Sequence, residues 1–351
     1  MKKKAVSTIS ILVTIIIATV TILYFFGINL ADILFPKKQE YLASKGEISF
    51  HFITLGNEYS GDSIYVKAGD NDILIDAGSR VESIPSIKDY LDKRVTDNKL
   101  EYVIITHADR DHIAGFSKLN GSLFDLYECE TIIDFPLTDK TTDTYNNYIS
   151  ERDDEIEKGA KHYTAKDCVL NQNGGQRFFN LTSDGNVKME ILDHRFYYEK
   201  SADENNYSVC LQFWHGSRKF LFTGDLEREG ELSLIEKNTL SQVEFFKAGH
   251  HGSKTSSNAE LLAVIKPKMC AASCCAGSVE FTQNKENTFP TQDFINRISL
   301  YTDKVYVPIK IDTYYDSVKG KYVNAENYEL LNGDIVIISD TEKVYADCSN
   351  N

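Results

Sequence analysis

Thr106-His107-Ala108-Asp109-Arg110-Asp111-His112 decides how this chain is read. Four side chains of metal-ligating type, His107, Asp109, Asp111 and His112, fall within six residues, directly after the apolar run 102–106. Such a run reads as a strand buried on both faces. On a regular helix or strand the four cannot all face one ion. On an irregular loop they can serve two, His107 and Asp109 on one side and Asp111 and His112 on the other. An acidic residue after a strand is often only a turn or a helix cap, and a lone Asp-x-Asp would favour that reading. Here other strand ends carry the same chemistry: Asp76 closes 72–76, Gly224-Asp225 follows 219–223, and His250-His251 follows 243–247. Side chains at strand ends converge on one sheet edge, where α/β folds place their sites. Two ions about 3.5–4 Å apart need a bridging carboxylate, for which Asp225 is the candidate, and they bring bound water to a pKa near neutrality.

Outward from this cluster, further strands are predicted at 48–55, 63–68, 187–192, 208–214, 269–273, 335–339 and 343–346, the last two as a hairpin. Helices are predicted at 84–94, 113–119, 228–236, 258–265 and 291–300. The polar, acidic segment 141–161 reads as an exposed helix or loop over the sheet. Recurring strand-loop-helix order implies an α/β sandwich. No internal repeat or low-complexity tract is present.

Lys2, Lys3 and Lys4 precede an uncharged stretch at 5–30. A membrane span needs about 20 apolar residues. The apolar region of a cleaved signal peptide is shorter, about 7–15, and ends at a small-x-small site not found here. The expectation is a single-pass signal-anchor: 1–38 as basic cytoplasmic end, transmembrane helix and flank, 39–47 as linker, 48–351 as the folded domain. The three leading lysines outnumber Lys37 and Lys38, whose local charge Asp32 weakens, so the domain is expected on the extracellular side.

The net charge is −14; residues 1–38 hold five lysines and one aspartate, so the remainder has 33 basic and 51 acidic residues. That balance argues against broad nonspecific affinity for nucleic acid but leaves room for a local basic groove, and bound divalent cations change the local sign. The seven cysteines lack a second close pair to complete a zinc-finger pattern, and buried thiols are expected.

His107-Ala108-Asp109-Arg110-Asp111-His112 resembles the metallo-β-lactamase signature His-x-His-x-Asp-His, with Asp109 in place of the second His. That replacement resembles the hydrolase domain of the competence DNA-uptake channel family (ComEC). The similarity continues through Gly61-Asp62-Ser63, Leu74-Ile75-Asp76-Ala77-Gly78, Asn205-Asn206-Tyr207-Ser208, Leu221 to Glu227, and Gly249-His250-His251-Gly252-Ser253-Lys254-Thr255-Ser256. The resemblance implies a four-layer αββα sandwich and hydrolysis of a phosphodiester. Two departures stand out. That family has many membrane spans where this chain has one, and Phe289 falls where the family has a His.

By resemblance His251 completes the second ion's ligands. His250 orients a substrate oxygen or protonates the leaving group, with the two histidines exchangeable between these roles. His194 is the candidate extra ligand to the first ion. Asp76, and with it Asp62, supports the ligands from outside. Ser253, Lys254 and Ser256 sit before a helix and suit an anionic oxygen; capping of that helix by Ser256 or Ser257 is the structural alternative. Asp109 makes the first ion's site richer in oxygen, so manganese becomes as credible as zinc. The expected function is a dinuclear metal hydrolase with Asp111 and His250 as its catalytic residues, acting through a metal-bound hydroxide on a phosphodiester such as DNA. A cell-envelope phosphoesterase resembling phosphorylcholine esterases is the alternative enzyme, and a non-catalytic surface binding module the alternative outside catalysis.

Overall fold

The computed structural model describes residues 47–278, 280, 282, 284, 287–310, 315–316, 321–322, 329–330 and 333–348. The predicted anchor and residues 39–46 of the predicted linker lie outside them. Among the described residues no helix is long and apolar enough to cross a membrane.

One eight-stranded sheet begins with β1 (Ile48–Phe52), β2 (Ile64–Ala68), β3 (Asn71–Ile75), β4 (Lys99–Ile104), β5 (Glu128–Asp134) and β6 (Lys161–Thr164). A second contains β7 (Phe178–Asn180), β8 (Val187–Leu192), β9 (Cys210–His215), β10 (Arg218–Phe222), β11 (Phe245–Lys247), β12 (Cys270–Ala271), β13 (Val305–Val307) and β14 (Glu329–Leu330). The chain then returns to the first sheet with β15 (Ile335–Ser339) and β16 (Val344–Cys348), giving the order β16-β15-β1-β2-β3-β4-β5-β6. The hairpin expected at 335–339 and 343–346 is this β15–β16 pair, with Ile335 opposite Cys348.

Side-chain alternation sets the layers. Phe50 and Phe52 of β1 meet Phe213, Phe220, Phe222 and Phe245 of the second sheet, with Phe50 lying 5.0–5.2 Å from Phe213, Phe220 and Phe222. Each fully buried Phe stabilises the fold by about 1.5–3 kcal/mol relative to exposure. His51, between those two phenylalanines, faces the other way and bonds Tyr90 Oη at 2.7 Å. Tyr90 belongs to α1 (Ile84–Leu91), which therefore covers the outer face of the first sheet. Leu221 and Phe246 alternate outward on the second sheet, where Leu234, Leu261, Leu262 and Phe294 cover them. Two sheets between outer helices make the α/β sandwich that the sequence implied.

Within each sheet an antiparallel hairpin leads into a parallel neighbour. β2–β3 is followed by β4, and β9–β10 by β11. The registers place Ile75 beside Ile104 and Phe222 beside Lys247. The carboxyl ends of β3, β4, β10 and β11 thus open onto one rim.

Three details depart from expectation. The helix expected at 113–119 is the single turn α2 (Arg110–Ile113), continued by a 3-10 turn at Ala114–Phe116. Asp111 and His112 therefore sit on a helical turn rather than an irregular loop. The segment 141–161 takes the helical one of its two expected forms, α3 (Asp143–Lys158), capped by Thr142, but it is not wholly exposed, since Tyr148, Glu151 and Glu155 are buried. Strands β5, β6 and β7 were not foreseen: charged residues such as Glu128, Glu130 and Lys161 interrupt the apolar pattern there.

Candidate metal centre

Asp76 follows β3 with φ 59°, a left-handed conformation that costs a non-glycine residue about 1–2 kcal/mol. Its bonds hold it there. Thr106 N and Thr106 Oγ1 each donate to the carboxylate at 2.8 Å, and His112 Nδ1 meets it at 2.7 Å. This contact directs His112 Nε2 away from Asp76, 3.2 Å from Asp225 Oδ2. Gly224 permits the turn before Asp225: its φ is +54°, and a Cβ would lie 2.8 Å from both Cβ and Oγ of Ser208.

From the opposite side comes His251, also left-handed at φ 54°. Its Nδ1 meets the carbonyl oxygen of Ser273 at 2.8 Å. Its Nε2 lies 3.2 Å from Asp225 Oδ2 and 3.3 Å from Asp111 Oδ2, yet is buried with no hydrogen-bond partner. Asp111, His112, Asp225 and His251 present ligand atoms all within 4.8 Å of one another. Ligands about 2.0–2.2 Å from a tetrahedral ion are separated by roughly 3.3–3.6 Å. The donor set, its spacing and the orphaned imidazole nitrogen therefore fit a divalent cation.

The electrostatics point the same way. Burial alone would lower the pKa of His112, but the Asp225 and Asp76 carboxylates hold it well above its usual value. His251 is likewise raised against burial, by Asp225, Asp62 and Asp111. Burial would raise Asp225 and Asp111, yet the neighbouring cations hold both below the usual carboxylate range. This pocket draws positive charge.

Part of that charge is built in. Lys247, the last residue of β11 and 1% exposed, donates to Gly224 O at 3.1 Å and to Asp225 Oδ1 at 3.2 Å, and pairs with Asp62 Oδ2 at 2.5 Å. Despite burial, these two carboxylates raise its pKa. Asp62 also lies 3.4 Å from His251 Nδ1, and its Oδ1 is buried without a hydrogen bond. A lysine ending an apolar strand just before Ala248-Gly249-His250-His251 was a readable signal that the sequence reading passed over.

His107 and Asp109 lie beside the four-residue cluster, not within it. His107 Nδ1 is 3.1 Å from Thr106 Oγ1 and 3.4 Å from Ser208 Oγ, while its Nε2 is buried with no hydrogen bond. Asp109 Oδ2 is 3.6 Å from that nitrogen, and its other oxygen is paired with Lys140. His194 follows β8 and is buried. Its Nε2 bonds the Ser208 carbonyl at 2.9 Å, and its Nδ1 has no partner. Burial lowers its pKa to about 4, which keeps the ring neutral. Among the described residues it joins no group of mutually close ligands.

At the rim, half-buried His250 places Nδ1 3.4 Å from both Asn205 and Thr255 and 3.6 Å from Glu227. Phe289 lies against both histidines, with ring centroids 5.5 and 5.8 Å away. Ser253 and Ser256 are buried, and Ser256 Oγ reaches the Asp225 carbonyl at 3.5 Å. Exposed Lys254 bonds Asn287. Neither Ser256 nor Ser257 caps α4 (Ala259–Ile265); its N-cap is Asn258. The donors of Ser257 N, Asn258 N and Asn258 Nδ2 go to Glu231 at 2.6–2.9 Å. Burial raises the pKa of Glu231 to about 7.

Residues 56–269, more than half of the chain, match the metallo-beta-lactamase superfamily, and the chain belongs to it. Members of this superfamily typically bind divalent metals in a dinuclear site. The matching relatives are of modest identity and include recombination protein 2 of Haemophilus influenzae, 25% identical over 174 residues, covering 50% of this chain and 18% of that protein. The chain is 29% identical over 224 residues to competence protein ComA of Neisseria gonorrhoeae, a match covering 63% of this chain and 26% of that protein. It is 27% identical over 177 residues to ComE operon protein 3 of Bacillus subtilis, covering 48% of this chain and 19% of the relative. It thus spans about a quarter or less of these relatives. Among solved structures, the metallo-beta-lactamase fold protein YhfI of Bacillus subtilis aligns with a TM-score of 0.43 and 13% identity, over 86% of this chain and all of that one.

Proposed function

We propose that this chain is a metal-dependent phosphodiesterase acting on nucleic acid, anchored by 5–30 with its hydrolase domain outside the membrane. The observation that carries the metal reading is the His251 imidazole, whose Nε2 faces two carboxylates without a hydrogen bond. Asp111, His112, Asp225 and His251 would hold one ion; His107 and Asp109 would hold a second, zinc or manganese. Bound divalent ions supply acidified water and positive charge for a phosphoryl centre.

The chain's own residues do the rest. Asp76 fixes the His112 ring so that Nε2 points inward, and Ser273 O does the same for His251. Asp62 and Lys247 stand behind the ligands and set their charge. His250, at the rim, is placed to pass a proton to a leaving oxygen. Ser253 and Ser256 are buried, so on this loop exposed Lys254 is the residue placed to meet a non-bridging phosphate oxygen. Relatives named for competence and recombination favour nucleic acid as the substrate. A cell-envelope phosphodiester is the second reading, favoured by the −14 net charge.

The test is hydrolysis of single-stranded DNA beside bis-p-nitrophenyl phosphate by the manganese- and zinc-loaded chain. Cleavage of both, abolished in Asp111→Asn, supports the nuclease reading. Cleavage of the small diester alone moves the substrate to the envelope, and turnover of neither refutes phosphodiester hydrolysis.

A further inference from the structure

The two halves of the centre are not equally ready for an ion. The Asp111, His112, Asp225 and His251 set offers four ligand atoms within 4.8 Å of one another. Among the described residues, the inward oxygen of Asp225 and the Asp111 carboxylate pair with no lysine or arginine, and Lys247 takes only Asp225 Oδ1. The other half offers less. His107 Nε2 is free, but Asp109 stands 3.6 Å from it with one oxygen already paired to an ammonium, that of Lys140. His194 does not complete the set, since its Nε2 bonds the Ser208 carbonyl. Among the described residues no third His, Cys, Asp or Glu atom joins His107 and Asp109 at ligand spacing.

Chemistry explains the pairing. A histidine at position 109 would be a neutral donor with no pull on an ammonium. A carboxylate there attracts one, and Lys140 comes from the segment that follows β5. The pair is part-exposed, 32% for Lys140 and 27% for Asp109, so the lysine can swing into solvent when a competing cation arrives.

Building on the metal reading above, we propose that the centre fills in order: one ion binds tightly at Asp111/His112/Asp225/His251, and Lys140 acts as a built-in counter-ion that keeps the His107/Asp109 position weak for a second. Lys140 is thus a positioning residue that sets the occupancy of the second site.

The experiment uses the full chain in detergent, stripped by chelator and titrated with Mn2+ by calorimetry, with bound metal counted by elemental analysis. The wild type should show one tight ion and a second at least about tenfold weaker. Lys140→Met and Lys140→Gln should each tighten the second ion roughly tenfold, leaving the first unchanged, while Lys140→Arg keeps the gap. Asp225→Asn should lose the tight ion. Two ions of equal affinity in the wild type overturn the ordering alone. An unchanged second affinity in both Lys140→Met and Lys140→Gln overturns the role of Lys140. No bound ion in the wild type overturns the ordering and the metal reading together.

Discussion

Lys247→Met removes a buried charge while nearly keeping its volume, and its cost can be worked from three contacts. The ammonium lies 2.5 Å from Asp62 Oδ2, 3.2 Å from Asp225 Oδ1 and 3.1 Å from Gly224 O, at 1% exposure. Removing one partner of a buried ion pair costs about 3–5 kcal/mol, because the other charge is left unpaired. Here two carboxylates are stranded, so the metal-free chain should sit at the upper end of that range, about 5 kcal/mol. Each kcal/mol shifts Tm by about 2–4 °C for a domain of roughly this size, so the fall is about 10–20 °C. Thermal unfolding followed by circular dichroism, with chelator and with manganese, measures it. The loaded variant should recover part of the loss, since an ion at Asp225 replaces some of the missing charge. In the wild type Asp62 and Asp225 have depressed pKa values, so their stabilisation is present above the unfolded value of 3.8 and is lost as pH falls through the folded ones. In the variant those values rise, so the deficit should shrink on acidification. A metal-free variant melting within about 2 °C of the wild type would refute the reasoning.

Three further outcomes follow from the same geometry. His112 and His251 are raised in the folded state, so they stabilise the metal-free chain below the unfolded value of 6.5, and that contribution is lost as pH rises through the folded values. Glu231, raised from 4.5 to about 7, acts in the same sense. The metal-free Tm should therefore fall from about pH 6 to about pH 9 while manganese affinity climbs, and a metal-free Tm that rises over this window contradicts it. Glu231→Ala strands the backbone donors of Ser257 and Asn258 and should cost about 2–3 kcal/mol in urea unfolding, with the tight ion retained; unchanged stability contradicts the capping role. Gly224→Ala forces a Cβ to within 2.8 Å of Ser208 and should cost about 2–3 kcal/mol and weaken the tight ion by displacing Asp225, so a variant of native stability and affinity argues against this turn.

Much of the fold was legible because its strands are short apolar runs ending in acidic or imidazole residues. β8 at Val187–Leu192 and β15 at Ile335–Ser339 fall where periodicity placed them. β5 escaped because Glu128 and Glu130 punctuate its first residues, which hides the buried Ile132 and Ile133. The convergence of Asp76, Asp111, His112, Asp225 and His251 was also readable, since parallel neighbours bring strand ends together. What could not be read were contacts between segments distant in the sequence. Nothing local to Lys140 marks it as the partner of Asp109, and Glu231 holds the start of a helix 26 residues away. Lys247 is intermediate: its place at the end of an apolar strand is visible in sequence, but its two carboxylates come from distant loops.

The most direct measurement of the central claim is turnover of bis-p-nitrophenyl phosphate by the full chain, stripped of metal and then reloaded, beside Asp225→Asn prepared identically. The account predicts no turnover without metal, restoration by manganese or zinc, and none in the variant, which should also lose the tight ion. Turnover that persists in chelator, or that survives in the variant, would contradict it.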